Sequence, residues 1–136
     1  MGLTIRQIIK AAGPTRRQAS AYVDIKKTSI KKTAQGWPLV LCKTSSNVTA
    51  QGKSKPGGSA NTYVTTIAVG PKKQVIVSCS CDDFKFTWEY ALNKKGAALI
   101  EYSNGEHPEE KNPGLQAGAC KHVVAVGQML IDKGKL

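Results

Sequence analysis

The stretch QVIVSCSC, residues 74–81, decides how this chain is read. Its first half is rich in β-branched residues, as a strand is, and its second half places Cys79 and Cys81 two positions apart at the strand's end. Thiols at i and i+2 rarely bridge to each other, so a reduced, metal-binding pair fits them better than a disulfide. Just upstream, NTYVTTIAV (residues 61–69) reads as a second strand and Gly70-Pro71-Lys72-Lys73 as a turn. The two strands then form a hairpin that ends on Cys79 and Cys81.

The other half of the pattern lies far downstream, in CKHVVAVGQML, residues 120–130. Val123, Val126, Met129 and Leu130 share one face of a helix expected over about 120–133, with Gly134 closing it. Cys120 and His122 fall at its start, where free backbone N–H groups carry partial positive charge and stabilise a thiolate. Zinc prefers four tetrahedral ligands drawn from Cys and His. Cys79, Cys81, Cys120 and His122 are therefore read as the ligands of one structural Zn2+, a strand end supplying one pair and a helix start the other. Three thiolates and an imidazole leave no open coordination position, so such a site stabilises the fold and does not activate water. The competing reading, of ordinary buried thiols and a satisfied helix histidine, would suffice for either half alone; the two halves together favour the metal. Cys42, on a strand far upstream, is read as a small buried hydrophobe. His107, in a loop rich in Glu and Pro, is the rival histidine ligand.

The run VSCSCDDFKF…GACKHVVAVGQML resembles the SWIM zinc finger, whose pattern is C-x-C, a variable spacer, then C-x-H. The resemblance covers roughly residues 74–133. It implies a strand–hairpin–helix frame with the ligands at Cys79, Cys81, Cys120 and His122, and a DNA- or protein-interaction module in place of an enzyme. The 38 residues between Cys81 and Cys120 are long for that family. With FKF near its start and KNPG before CKH, the spacer is similar to those of small SWIM proteins of tailed bacteriophages.

Outward from the zinc pattern the signals are local. Thr4 caps a short helix over residues 4–11, with Ile5, Ile8 and Ile9 on one face, and Gly13-Pro14 ends it. Residues 15–35 carry the basic pairs Arg16-Arg17, Lys26-Lys27 and Lys31-Lys32; a second helix followed by an extended arm is one form open to them, and the sequence does not decide it. Trp37 to Lys43 is a strand, with Pro38 pointing to an edge position. Residues 44–60, with Lys53 and Lys55, form an exposed loop. Asp82-Asp83 caps a helix over 84–94, whose stripe of Phe84, Trp88 and Leu92 is core. A short strand from Ala97 to Tyr102, a turn at Ser103-Asn104-Gly105 and a polar loop over 106–119 complete the spacer. The expected fold class is α+β. A basic N-terminal arm spans residues 1–35, and a zinc-binding domain over 36–136 has an antiparallel sheet joined by the metal to the C-terminal helix.

The formal charge is +11, and it is lopsided. Residues 1–73 hold 13 Lys or Arg against the single acid Asp24, whereas residues 74–136 are close to neutral. Such a half attracts phosphates or an acidic protein surface. Arg16, Arg17, Lys26, Lys27, Lys31, Lys32, Lys53 and Lys55 are the residues expected to meet that partner. No apolar run approaches the ~20 residues that span a bilayer, and MGLTIRQIIK lacks the h-region of a signal peptide. The expected location is inside the cell or within a virion. Gly52-Lys53-Ser54 is not a phosphate-binding loop, since Asn47 stands where the first Gly is needed and Pro56-Gly57-Gly58 forbids the helix. No nucleophile–base pair, small-molecule site or deaminase motif is present. The expected function is binding, without catalysis. The first candidate is docking in a protein assembly, a viral particle or homo-oligomer; the second is nucleic-acid binding.

Overall fold

Leu3–Thr4 forms a two-residue strand, β1, and Thr4 at once becomes the cap of the helix that follows. The computed structural model describes residues 3–46, 62–81, 84, 88, 91, 92, 97 and 118–134. The Thr4 hydroxyl accepts from the Gln7 backbone N–H at 3.4 Å, and the Gln7 side chain accepts from the Thr4 N–H at 2.8 Å. This reciprocal box satisfies two of the donors that a helix start leaves free. Helix α1, Ile5–Ser20, buries Ile5, Ile8, Ala12 and Ala19. It is two helical segments: Gly13 sits at φ 86, a conformation favouring glycine, and Pro14 opens the second with no N–H to leave unpaired. The break at Gly13-Pro14 falls where the sequence reading ends the first helix, and the segment after it, whose form the sequence left open, is helical to Ser20.

Four longer strands follow among the described residues: β2 (Val23–Lys32), β3 (Pro38–Ser46), β4 (Thr62–Val69) and β5 (Gln74–Cys79). They form one antiparallel sheet in the order β1-β5-β4-β3-β2. Helix α1 therefore leaves one edge of the sheet and delivers the chain to the other. Its 16 residues give roughly 24 Å of length, against roughly 19 Å for four strand spacings, so the crossing fits. The last element is α2, Lys121–Asp132, with Gly134 at φ 73 beyond its cap at Lys133.

Two expectations change. Residues 23–32 do not extend away from the domain: β2 pairs with β3 from Val23↔Ser46 to Lys32↔Pro38, with a bulge between Ile25 and Lys27. The lysines that made this stretch look like an arm are common on edge strands, where charge and bulges block pairing with other chains. And β3 is interior, between β2 and β4. Pro38 is tolerated there because it is the first residue of the strand.

The core lies between the sheet and the helices. Val40, Cys42, Ile67, Val75, Val77 and Cys79 of the sheet pack with Ile5, Ile8, Val123, Val126 and Leu130. Phe84, Trp88 and Leu92 are all buried in this cluster, as their spacing predicts. The expected cap at Asp82-Asp83, the elements from 98 to 117 with His107, and the loop carrying Lys53 and Lys55 lie outside the described residues.

Candidate metal centre

The four residues singled out in the sequence converge. Cys79 is the last residue of β5, Cys81 lies two residues beyond it, Cys120 is the N-cap of α2 and His122 stands in its first turn. Their ligand atoms all lie within 4.8 Å of one another, and all four residues are buried. Tetrahedral zinc with Zn–S near 2.3 Å and Zn–N near 2.0 Å sets its ligand atoms about 3.5–3.8 Å apart. The Cys79 Sγ to His122 Nδ1 distance of 3.8 Å already meets this, and the widest pair needs to close by about 1 Å.

Local structure explains the convergence. Cys120 is extended at φ −71, ψ 166, the geometry of a helix cap, yet its side chain makes no capping hydrogen bond. The sulfur is left to the cluster. Gly118, two residues earlier, runs against α1 so closely that an added Cβ would stand 2.6 Å from the Ala12 backbone. That contact sets the path by which the chain brings Cys120 to the strand end.

The donors around the sulfurs are those of a thiolate site. The Phe84 backbone N–H donates to Cys81 Sγ at 3.4 Å, and the Thr65 hydroxyl donates to Cys79 Sγ at 3.5 Å. Thr65 is paired with Thr44, whose oxygen is 3.1 Å away. The Tyr63 ring flanks His122 with centroids 5.2 Å apart. His122 Nε2 is buried with no hydrogen-bond partner among the described residues. Nδ1 is the ring nitrogen that faces Cys79, so the orphaned Nε2 is the one left for a further polar neighbour.

The electrostatics agree. Burial pushes the Cys120 thiol well above the ordinary thiol range, and its hydrogen bonds to Cys79 and Cys81 add to this. Cys79 feels burial too, but hydrogen bonds from Cys120, Cys81 and Thr65 outweigh it and hold Cys79 well below that range. Cys81 gains from its hydrogen bond with Cys120, yet its bond to Cys79, burial and the charge on Cys79 leave it raised. Burial and the nearness of the sulfurs to one another thus oppose charge on all three at once. A dication is what allows three thiolates to share the pocket, with release of protons on binding. The donor set fits zinc.

Cys42 is fully buried and outside the cluster, in contact with the Thr28 hydroxyl at 3.5 Å, as its reading as a core residue requires. The basic residues are spread out. The Arg16 guanidinium lies over the Trp88 ring at 5.3 Å. Arg17 is exposed on α1 and donates to the Gly13 carbonyl. Lys26, Lys27, Lys31 and Lys32 are exposed along β2. Sequence reading missed Thr65 and Tyr63, although a hairpin closing at Val69↔Val75 necessarily sets Thr65 opposite Cys79.

No family model matches the chain, and no curated protein or solved structure does. The likeness to SWIM fingers therefore rests on the sequence pattern.

Proposed function

We propose that this chain is a zinc-stabilised interaction module of SWIM type that docks into a larger assembly and performs no catalysis. The observation that carries the proposal is the closed set of Cys79, Cys81, Cys120 and His122, buried and mutually within 4.8 Å. A site with four protein ligands holds elements together and offers no position to a substrate. Here it ties the end of β5 to the start of α2, which gives a small domain a rigid frame. The likeness of the spacer to phage SWIM proteins extends the proposal to a virion component. Native mass spectrometry tests it: one zinc per chain with four reduced cysteines, in a closed oligomer, is the expected spectrum. A metal-free chain, or a mass lowered by disulfide formation, would refute the metal centre.

Nucleic-acid binding is the second reading, favoured by the exposed Arg17, Lys26, Lys27, Lys31 and Lys32. Contacts to phosphates release counterions, so affinity for a DNA duplex must fall steeply as salt rises. A flat salt dependence removes this reading.

A further inference from the structure

The sheet has a second face, turned away from the metal centre. Strand alternation puts Lys27 and Lys31 of β2, Leu39 and Lys43 of β3, Val64 of β4 and Ile76 of β5 on it. The buried helix residues pack on the other side, and Val64 is 42% exposed. A groove of about 500 Å³ runs along this face, with Leu39, Val64, Ala68 and Ile76 on its floor around Thr66 and Ser78, and Trp37 at its wall. The Trp37 wall is fixed by a tight turn, in which Thr33 and Trp37 exchange hydrogen bonds.

Beside the aliphatic floor stands unneutralised charge. Lys27 and Lys43 are directly opposite in register, and Lys31 lies further along the same face. Like charges facing each other across strands repel. Among the described residues, none of the three lysines has an ion-pair partner. Strands β2 to β5 place no aromatic ring on this face, since Tyr63 points to the metal side. Among the described residues a single ring, Trp37, lines the groove, short of the row of aromatics on which single-stranded nucleic acid stacks; a phosphate backbone would meet the lysines but leave the apolar floor unfilled.

We propose that this face is the docking site for a segment of a partner protein whose aliphatic anchors are flanked by carboxylates. The anchors fill the groove and the carboxylates neutralise Lys27, Lys31 and Lys43. The proposal rests on the reading of the chain as an interaction module and names the surface and the chemistry of its partner.

The test is selection of a random peptide library on the zinc-loaded full chain, with the selected peptides then measured on variants. Enriched peptides are expected to carry two or more Asp or Glu next to Leu, Ile, Val or Phe. Their affinity should fall by roughly tenfold or more for K27E/K43E, and likewise for Val64→Glu, in which an exposed position gains a repelling charge on the carboxylates and loses the apolar floor. Variants count only with unchanged zinc content and melting, which keeps a failed surface distinct from a failed metal centre. If the selected peptides bind as expected to a chain without zinc, the surface stands and the metal reading falls. Peptides that bind every variant equally, or no enrichment over bare support, overturn the proposal. So does a short DNA duplex that competes with the peptides and is indifferent to Val64→Glu, or a dimer formed through this face.

Discussion

One step of a single residue along each strand separates two unlike rows of side chains. Thr28, Cys42, Thr65 and Cys79 lie side by side across β2, β3, β4 and β5 on the core face. Their neighbours on the outer face are Lys27, Lys43 and Val64. The first row is buried at Cys42, Thr65 and Cys79, and its polar atoms bond to one another. The second row leaves two ammonium groups opposed and open to solvent. The same strands serve both because side chains alternate with period two. On the two readings proposed above, the core face would hold the fold through a metal, and the outer face would offer its charge and apolar surface to a partner. The largest expected effect breaks the first face. Structural zinc contributes about 10–16 kcal/mol in small fingers, as much as the ~5–15 kcal/mol that separates folded from unfolded domains. Chelation, or Cys120→Ser, should therefore abolish the cooperative thermal transition followed by circular dichroism. A transition that survives chelation would mean that the apolar core suffices without the metal.

Much of this was legible. The four clustered residues could be read because C-x-C at a strand end and C-x-H at a helix start are local patterns, and each local pattern survived folding. The hairpin of β4 and β5 was legible for the same reason, with Gly70 and Gln74 closing it through a 2.7 Å hydrogen bond. What failed was non-local. The strand β2 carries four exposed lysines and a bulge, so it lacks the alternation of a half-buried strand; only its pairing with β3 reveals it. Pro38 misled because a proline at the first position of a strand and one on an edge look alike in sequence. Arg16 reads as free charge until the fold brings Trp88 beneath it.

A smaller effect probes how the metal face is assembled. Gly118→Ala forces a methyl group to within 2.6 Å of the Ala12 backbone. Backbone cannot swing aside as a side chain can, so the substitution should cost about 1–3 kcal/mol, read as a lower urea midpoint with the slope unchanged. An unaltered midpoint would show that the approach to Cys120 has slack. Thr65→Val comes next. It removes the hydroxyl that donates to the Cys79 sulfur while keeping the side chain's shape, and the Thr44 hydroxyl keeps its bond to the Tyr63 carbonyl. The loss should be about 1–2 kcal/mol, seen as faster transfer of zinc to a competing chelator. Thr65→Ser should restore the slow rate, because it returns the donor; equal rates for the three proteins would exclude Thr65 as a support of the thiolate.

The smallest effect has the opposite sign and falls on the other face. Lys43→Glu exchanges a repelling cross-strand pair with Lys27 for an attracting one. Opposed charges on neighbouring strands contribute about 0.2–1 kcal/mol, and exposure holds the gain near the lower end. The variant should therefore be more stable than the parent by a few tenths of a kcal/mol, and the advantage should fade at high salt, where the pair is screened. A double-mutant cycle with Lys27→Glu isolates the term: both single changes should stabilise, and the double change, which restores a like-charge pair, should return to near the parent. Zinc content should not move in any of them, because these side chains point away from the metal. If Lys43→Glu instead loosened the zinc, the two faces would be coupled through the strands, and the division of labour argued for this sheet would fail. If stability rises while acidic-peptide binding falls, the lysines are kept at a cost to the fold, as charges maintained for recognition are.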